Sequence, residues 1–485
     1  MTVPTKRIPP VQIADNLYWV GVSSGSPAHL ITTSDGIVLI DTASDYTVTE
    51  LLENIAALGF DVRDVRHIIH SHAHFDHVGA TNTIVSLSGA KTYVGRYDVD
   101  DVMGKNKRLW ASRIPPKNEN EFYFEPDVLL DDGDVLKVGD VEFRFLHTPG
   151  HTLGVMSMFW NVTYNGKEYL AGMFGGAGTG ALSDAYLTRD SLPTTLREDY
   201  VNSVNRLLLE PVEFHVGNHP GNNKHTEKAE RLSKNVNPFI RENTWEEFLL
   251  KSRNEIVNTY DVGGKAKSHV VDAILESKAV VIVRGLSREE LINSVRAMRD
   301  GGISCLEVTY DSLGKTSDEE IAENIKALVD EFPDMYIGAG TVINTKQVLL
   351  TARAGGRFIV SPDTNVDVIS MTVKLGLVSI PGAMTPTEAA TAKRAGADFV
   401  KLFPMGELGP SYLKALALPL SHIRFLAVGG VTVENMAEYF KAGAVGLGVA
   451  SAIVDKKLIK EGNFDGVRKL AEDYVAAIKA SQNAD

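Results

Sequence analysis

The chain has 485 residues, of which 44% are hydrophobic and 23% are charged, and its formal net charge is −13 at pH 7. This length predicts two to four domains, and the composition is that of a soluble globular protein. The acidic balance argues against nucleic acid or an anionic membrane surface as a partner, because both attract proteins with excess lysine and arginine. We therefore expect small molecules as substrates.

The cysteine content and the N-terminal residues indicate the cellular compartment. The single cysteine, Cys305, excludes an internal disulfide framework and is expected to be a buried thiol, because it stands in an apolar run. Residues 1–16 carry three prolines and no apolar run long enough for a signal peptide, and no stretch of the chain reaches the length of a membrane span. These features predict a cytoplasmic protein.

Short apolar runs separated by turn residues predict a strand-rich first half. The predicted strands cover residues 17–22, 28–32, 37–41, 65–69, 91–95, two within 135–146, 156–160, 168–172 and one that begins at 213. Apolar residues at helical spacing predict helices over residues 47–58, 203–209 and 244–260. Residues 109–124, which include Pro115 and Pro116, are expected to form an irregular surface loop that overhangs a site.

The pattern changes after Gly263-Gly264, where we place a linker. Beyond it, helices alternate with short apolar strands over residues 280–284, 305–309, 336–341, 358–361, 378–381, 399–403, 424–428 and 445–449. Eight such strands over about 220 residues match a (β/α)8 barrel, for which about 250 residues are typical. An open doubly wound sheet is the alternative. It is disfavoured because no Gly-x-Gly-x-x-Gly motif follows the first strand.

The most distinctive stretch is His70-Ser71-His72-Ala73-His74-Phe75-Asp76-His77, in which four histidines and an aspartate fall within eight residues. It follows the predicted strand 65–69, and α/β folds place their ligands at the carboxyl ends of strands. Neutral imidazoles and carboxylates are ligands that zinc prefers. A solvated polar turn is the alternative, and this density of histidine disfavours it.

The spacing within this stretch indicates two neighbouring metal sites. His72 and His74 alternate along an extended segment and can reach one ion. Asp76 and His77 lie one turn further on and can reach a second. Each ion needs further ligands, and the candidates are the histidines of two turns that contain glycine and proline, His151 and His219. A lone histidine in such a turn is otherwise a surface residue.

The segments His72-Ala73-His74-Phe75-Asp76-His77, Thr148-Pro149-Gly150-His151 and His219-Pro220-Gly221 resemble the motifs of the metallo-β-lactamase superfamily. The resemblance covers about residues 13–236 and implies an αββα sandwich with a zinc-dependent hydrolase activity of the lactam, lactone or thioester type. It implies one zinc on His72, His74 and His151, and a second zinc on Asp76, His77 and His219. Asp76 would also orient the attacking nucleophile.

The residue after Gly172 limits the resemblance to one subclass of the superfamily. Many members of the superfamily carry a bridging acid in a Gly-Asp pair after a late strand, where this chain has Gly172-Met173. The chain is similar in this respect to the β-lactamase subclass that completes its second zinc site with one aspartate and two histidines. Because no secretion signal is present, a metabolic substrate is expected rather than an antibiotic.

The second half contains two ionisable residues within apolar strands, Lys401 in the sixth predicted strand and Glu307 in the second. Lysine is seldom buried unless it is paired or functional. Desolvation lowers the pKa of a lysine and yields the free amine that attacks ketones, and a nearby carboxyl group of raised pKa can move protons. A buried salt bridge without chemistry is the alternative, and the spacing leaves both open.

The segments Leu306-Glu307-Val308-Thr309, Gly338-Ala339-Gly340-Thr341-Val342 and Lys401-Leu402-Phe403-Pro404 resemble the 2-keto-3-deoxy-6-phosphogluconate (KDPG)/4-hydroxy-2-oxoglutarate (KHG) aldolase family over about residues 273–480. The resemblance implies a class I aldolase that needs no cofactor and splits a 2-keto-4-hydroxy acid into pyruvate and an aldehyde. Lys401 would form the pyruvyl imine, and Glu307 would move protons through a water. Family members are typically trimers, so a homotrimer formed through the barrel is expected.

The resemblance also implies a set of substrate-binding residues, namely Thr309, Thr341, Phe403, Gly429, Gly430 and Ser451. Thr341 would hold the pyruvate carboxylate, Phe403 would pack beside it, and the backbone N–H groups of the glycine turns would bind a phosphate. The family commonly has an arginine two residues after Glu-Val-Thr, whereas here Tyr310 is followed by Asp311. Loss of that guanidinium leaves open whether the substrate is phosphorylated.

Together these patterns predict a zinc hydrolase domain over residues 1–262 and an aldolase barrel over residues 265–485. We interpret the chain as a bifunctional enzyme of sugar-acid catabolism. In a first alternative the hydrolase is active and the barrel serves only as a trimerising scaffold, which Asp311 favours and Lys401 and Glu307 oppose. In a second alternative the zinc half is a binding or sensing module, which the full set of six ligands opposes.

Overall fold

The computed structural model describes residues 9–23, 25–106, 122–240 and 244–482. The chain divides into two compact units, Met1–Ile256 and Val257–Asp485. The domain limits predicted from the sequence stay a prediction, and most of the loop expected at residues 109–124 lies outside the described residues. None of the helices that the structure describes is long and apolar enough to cross a membrane.

The N-terminal unit contains two β-sheets. The first has seven strands in sequential order, antiparallel from β1 to β4 and parallel from β4 to β7: β1 (Val11–Ala14), β2 (Leu17–Val20), β3 (Ala28–Thr33), β4 (Gly36–Ile40), β5 (Val65–Ile69), β6 (Lys91–Gly95) and β7 (Val128–Leu130). The second sheet has the order β12-β11-β10-β9-β8: β8 (Val135–Val138), β9 (Val141–His147), β10 (Met156–Tyr164), β11 (Lys167–Met173) and β12 (Phe214–His215).

Alternating side chains give the first sheet two buried faces. One face, with Trp19 and Ile40, packs against Phe145 and Trp160 of the second sheet in a single apolar core. Its opposite face packs against the first helices, because Leu39 and neighbouring strand residues share a second core with residues of α1 and α3. The helices that begin in this unit are α1 (Val48–Ala57), α2 (Phe75–Val78), α3 (Thr81–Ser88), α4 (Val99–Val102), α5 (Asp184–Arg189), α6 (Leu196–Leu207), α7 (His225–Arg231) and α8 (Trp245–Tyr260), and α8 ends beyond the limit of the unit at Ile256.

The outer face of the second sheet is covered as well. Phe159 of β10 contacts Trp245 of α8, with ring centroids 6.1 Å apart, and the Trp245 indole donates to the carbonyl of Leu207 at the end of α6. The order of layers is thus helix, sheet, sheet, helix, and the predicted αββα sandwich is confirmed. Helix α6 begins seven residues before the predicted start at residue 203.

The C-terminal unit is a parallel sheet that closes on itself. Its strand order is β17-β16-β15-β14-β13-β21-β20-β19-β18, with β13 (Ala279–Val283), β14 (Cys305–Thr309), β15 (Tyr336–Gly340), β16 (Phe358–Val360), β17 (Val378–Ile380), β18 (Gly382–Ala383), β19 (Val400–Leu402), β20 (Phe425–Val428) and β21 (Ala444–Val449). Strands β17 and β18 flank Pro381, and they pair with β16 and β19 respectively. The ring therefore closes through one segment that proline interrupts, and the predicted barrel is confirmed, with the two strands β17 and β18 in the place of the predicted fifth strand.

Local sequence signals place the helices around this barrel. Helix α10 begins at a capping box in which Ser287 and Glu290 satisfy each other's backbone N–H groups, and Thr385 and Glu388 do the same for α14. The helices are α9 (Lys267–Ser277), α10 (Arg288–Asp300), α11 (Asp318–Glu331), α12 (Thr345–Arg353), α13 (Val366–Lys374), α14 (Pro386–Arg394), α15 (Met405–Ala417), α16 (Met436–Lys441), α17 (Lys456–Lys460) and α18 (Phe464–Gln482). Helix α9 covers the amino ends of the strands, where Val270 and Ile274 join the barrel core.

Candidate metal centre and candidate lysine site

The histidine-rich stretch follows β5 and runs into the short helix α2. It brings together two groups of three potential ligands, and in each group one ligand atom per residue lies within 4.8 Å of the others: His72, His74 and His151, and Asp76, His77 and His219. In the first group, His72 Nε2 lies 3.1 Å from His74 Nδ1. In the second group, His77 Nε2 lies 3.2 Å from His219 Nε2. All six residues predicted as metal ligands therefore meet at one place.

Hydrogen bonds on the opposite ring atoms set which nitrogen of each histidine faces the centre. His77 Nδ1 lies 2.7 Å from a carboxylate oxygen of Asp41, and His151 Nδ1 lies 2.5 Å from the carbonyl of Gly178. His74 Nε2 lies 2.7 Å from the hydroxyl of Tyr186. Because one ring nitrogen is thus engaged outward, Nε2 of His77 and His151 and Nδ1 of His74 remain for an ion.

Two buried aspartates hold the ligand-bearing loops. Asp41, at the end of β4, accepts hydrogen bonds from the backbone N–H and the hydroxyl of Ser71, each at 2.8 Å. Asp98 accepts from the N–H of Ala73 at 2.9 Å, the hydroxyl of Thr152 at 2.8 Å and the N–H of Gly154 at 2.7 Å. Asp98 therefore joins the loop that carries His72 and His74 to the loop that carries His151.

The electrostatics of this centre suit a cation. Burial lowers the pKa of His77 and of His151 to about 3, and it lowers the pKa of His72 and His74 well below the usual value. Neutral imidazoles at neutral pH, together with the Asp76 carboxylate, are the donors that a borderline divalent ion such as zinc accepts. The donor set thus fits zinc. Met173, at the position of the bridging acid in many superfamily members, is buried in the apolar core and offers no ligand.

In the barrel, Lys401 on β19 and Glu307 on β14 face the same cavity of about 950 Å3, which opens at the carboxyl ends of the strands. Thr341, Phe403, Gly429, Gly430 and Ser451 also line it. Below them the barrel interior is apolar, with Val280, Ile282, Val360, Ile380 and Leu426 around the pair. Burial in these surroundings raises the pKa of Glu307 to about 7 and lowers the pKa of Lys401. The charge of each partially offsets the shift of the other.

Arg284, just after β13, is a member of this site that the sequence reasoning did not single out. Its guanidinium donates to the hydroxyl of Thr341 at 3.1 Å, and its positive charge lowers the pKa of both Glu307 and Lys401. The available signal was a cation at the carboxyl end of a barrel strand, which is where such folds carry functional residues. Arg284 therefore supplies a guanidinium beside Thr341.

Asp311 does not face the lysine cavity. Its carboxylate accepts the backbone N–H groups of Leu313 at 2.9 Å, Lys315 at 2.8 Å and Thr316 at 3.1 Å, and these bonds hold its pKa below the usual value. The acid that replaces the family arginine is thus engaged with its own loop. Thr309, a predicted substrate-binding residue, lines a neighbouring cavity.

The glycine turn at the rim of the cavity is closely packed. Gly429 and Gly430 have φ values of 87° and 75°, in the region that favours glycine. A Cβ atom on Gly430 would lie 2.6 Å from the Cα of Gly406, and one on Gly429 would lie 3.1 Å from the Phe403 ring. Larger residues at either position would displace α15 or the aromatic ring, so these glycines shape the cavity.

Each half of the chain matches a known protein family. The family model described as KDPG and KHG aldolase matches residues 270–470, and the model of the metallo-beta-lactamase superfamily matches residues 24–162. The 2-dehydro-3-deoxy-6-phosphogalactonate aldolase of Escherichia coli is 38% identical over 207 residues, which are 42% of this chain and 95% of that protein. The 2-dehydro-3-deoxy-phosphogluconate aldolase of Treponema pallidum is 36% identical over 206 residues, which are 42% of this chain and 95% of that protein.

Among solved structures, a subclass B3 metallo-beta-lactamase of Bradyrhizobium japonicum is 26% identical and covers 54% of this chain and 96% of its own, with a TM-score of 0.46. The chain belongs to the KDPG and KHG aldolase family through its second half, and its first half is a metallo-β-lactamase-superfamily domain fused to it.

Proposed function

We propose that the chain is a bifunctional enzyme, with a zinc-dependent hydrolase in its N-terminal unit and a Schiff-base aldolase in its C-terminal unit. The observation that carries the aldolase proposal is the pairing of Lys401 and Glu307 in one apolar cavity with opposite shifts of pKa. Such a pair is what imine chemistry requires, because the amine must be free to attack and the carboxyl group must exchange protons near neutral pH.

The aldolase reaction follows from these groups. The neutral amine of Lys401 attacks the keto carbon of a 2-keto-4-hydroxy acid, and loss of water gives the imine. Glu307, as the carboxylate, removes the proton of the C4 hydroxyl through a water, so that the C3–C4 bond breaks and the aldehyde leaves. Glu307 then returns the proton to C3 of the enamine, and hydrolysis releases pyruvate. We assign the substrate carboxylate to Thr341 and Arg284, because both line the cavity and the Arg284 guanidinium donates to the Thr341 hydroxyl.

The N-terminal unit is proposed to hold two zinc ions on the ligand sets described above. Zinc supplies Lewis-acid activation of water and of a substrate carbonyl oxygen. The protein's own part is to orient the ligands: Asp41 and the Gly178 carbonyl fix two imidazole rings, and Tyr186 fixes a third. We propose a lactam, lactone or thioester as the substrate class.

The scaffold alternative is weaker than this proposal. Asp311 was the feature that favoured it, and its carboxylate is occupied by three backbone N–H groups instead of facing the lysine cavity. Arg284 offers a guanidinium to replace the missing family arginine. A cytoplasmic location and a homotrimer formed through the barrel complete the proposal, and light scattering of the purified chain would test the trimer.

The aldolase proposal is tested by trapping. The full chain is incubated with pyruvate and sodium borohydride, and intact and peptide masses are measured. We expect a reduced pyruvate adduct on the peptide that contains Lys401, and none on the Lys401→Met variant. Lys278→Met, which changes a lysine elsewhere in the same unit, is the control. Absence of an adduct from the native chain, or an adduct retained by Lys401→Met, would refute a Schiff base at this residue.

The hydrolase proposal is tested by metal content and turnover. We expect two zinc ions per chain, and hydrolysis of a chromogenic lactam or of simple lactones and thioesters that is lost after chelation and restored by zinc. His77→Ala and His72→Ala should each lower the zinc content by one ion. A chain that binds zinc at both sites but turns over none of these substrates would favour the sensing alternative.

A further inference from the structure

A second cavity, of about 570 Å3, lies beside the lysine cavity at the carboxyl end of the barrel. It is bounded by the segments that follow β13 and β14, including the loop of residues 310–316 that Asp311 organises. Arg284 and Lys456 line both cavities, so the two are neighbours. The proposed imine chemistry uses the first cavity and leaves the second without a role.

The second cavity contains a buried polar atom without a partner. Thr309 is only 3% exposed, and its hydroxyl oxygen makes no hydrogen bond to any residue that the structure describes. Leaving a buried hydroxyl unpaired is unfavourable, so such groups normally bond to a ligand or an ordered water. Because Thr309 lines the second cavity and not the first, its partner is to be sought there.

The charges around this cavity favour an anion. Three cations line it, Arg284, Lys315 and Lys456, against the two acids Asp311 and Glu320. The Asp311 carboxylate accepts hydrogen bonds from three backbone N–H groups and stays ionised, and the three cations outnumber the two acids. A guanidinium, two ammonium groups and a hydroxyl donor are a set that recognises carboxylate or phosphate oxygens.

We propose that this cavity is a second binding site, for a small anion with carboxylate or phosphate groups, held by the Thr309 hydroxyl, Lys315 and Lys456 beside Arg284. The anion is separate from the keto acid that reacts with Lys401. This site stands on its own geometry, whereas its effect on catalysis rests on the proposed aldolase function.

Arg284 provides the link between the two cavities. It donates to Thr341 in the first cavity, and its charge lowers the pKa of Lys401. An anion next to the guanidinium offsets that charge, which leaves a smaller fraction of Lys401 as the free amine. Occupation of the second cavity therefore slows formation of the imine.

Calorimetry with inorganic phosphate on the full chain, without pyruvate, tests the binding site. Lys315→Ala and Thr309→Val remove contacts of the second cavity only, since neither residue lines the first. We expect each to weaken one phosphate-binding step at least tenfold. Lys326→Ala, which removes an exposed lysine of α11, is the matched control and should bind as the native chain does. Equal binding by the native chain, Lys315→Ala and Thr309→Val would overturn the proposal.

A second measurement tests whether the anion is separate from the substrate and whether it affects Lys401 through Arg284. If the anion is a separate effector, phosphate should slow borohydride trapping of pyruvate in the native chain, and Lys315→Ala should relieve this effect. If phosphate instead leaves trapping unchanged and competes only with a phosphorylated substrate, the cavity holds the substrate's own tail, and the separate-effector proposal is overturned. Failure of all trapping would refute the aldolase function, while the calorimetry still decides the anion site.

Discussion

The substitution Glu307→Gln separates the two steps proposed for the lysine cavity, which are attack by the Lys401 amine and proton transfer by Glu307. The side chain keeps its size but can no longer exchange protons. Burial holds the pKa of Glu307 near 7, so the carboxylate is a base matched to neutral pH, and the shift from 4.5 corresponds to about 3 kcal/mol in favour of the neutral acid. The carboxylate also raises the pKa of Lys401, so its loss leaves more of the free amine.

The substitution should therefore preserve imine formation and slow proton transfer. Trapping of pyruvate by borohydride at pH 7 should be as fast as in the native chain or faster, because only the amine takes part in attack. Exchange of the pyruvate methyl protons in D2O, followed by proton NMR, should fall about 10²–10⁴-fold, the usual contribution of a general acid or base. In the native chain the exchange rate should rise with pH through about 7, as Glu307 loses its proton, and the variant should lack this rise.

The matched control is Glu461→Gln, which changes an exposed acid of the same unit and should alter neither rate. The reasoning is refuted if Glu307→Gln exchanges methyl protons within tenfold of the native rate and keeps the inflection near pH 7. It is equally refuted if the variant loses trapping as completely as Lys401→Met. In that case Glu307 supports the cavity and does not carry protons.

Three further outcomes are expected. Tyr186→Phe removes the partner of His74 Nε2 and should weaken one zinc site about 10–100-fold in competition with a chelating dye, whereas Tyr164→Phe should not. Treatment of the chain with EDTA should abolish lactone or lactam hydrolysis and leave pyruvate trapping intact, so a loss of trapping would contradict a metal-free barrel. Phe145→Ala, in the core between the two sheets, should lower the free energy of unfolding of the N-terminal unit by about 3–5 kcal/mol in urea titrations, and a change below about 1 kcal/mol would contradict its place there.

The elements that the sequence predicted best are those defined by local patterns. Short apolar runs located the barrel strands except β18, and the dense histidine cluster indicated the candidate metal centre, because four of its six candidate ligands are close in the chain. The interruption of the fifth strand at Pro381 was not predicted. It depends on which neighbour each half of the strand pairs with, and local periodicity does not contain that information.

The residues that the sequence did not reveal act across long separations. Asp41 reaches His77 from 36 positions away, and Tyr186 reaches His74 from 112. An isolated aspartate or tyrosine has no distinguishing pattern, so only the folded chain identifies these partners. For Asp311 the sequence was misleading. Its position in the family motif predicted an acid beside the substrate, whereas its carboxylate accepts backbone N–H groups of its own loop and does not line the lysine cavity.

The hydrogen bonds of Asp98 have a consequence for how the N-terminal unit would acquire its proposed zinc. Asp98 makes three hydrogen bonds that join the segment carrying His72 and His74 to the segment carrying His151, and none of them uses a side-chain atom of these histidines. We therefore expect the conformational entropy of these residues to be lost when the chain folds and not when it binds an ion. In zinc fingers, by contrast, the metal supplies the folding free energy. The apoprotein should keep its circular dichroism spectrum after chelation and should take up zinc again without refolding.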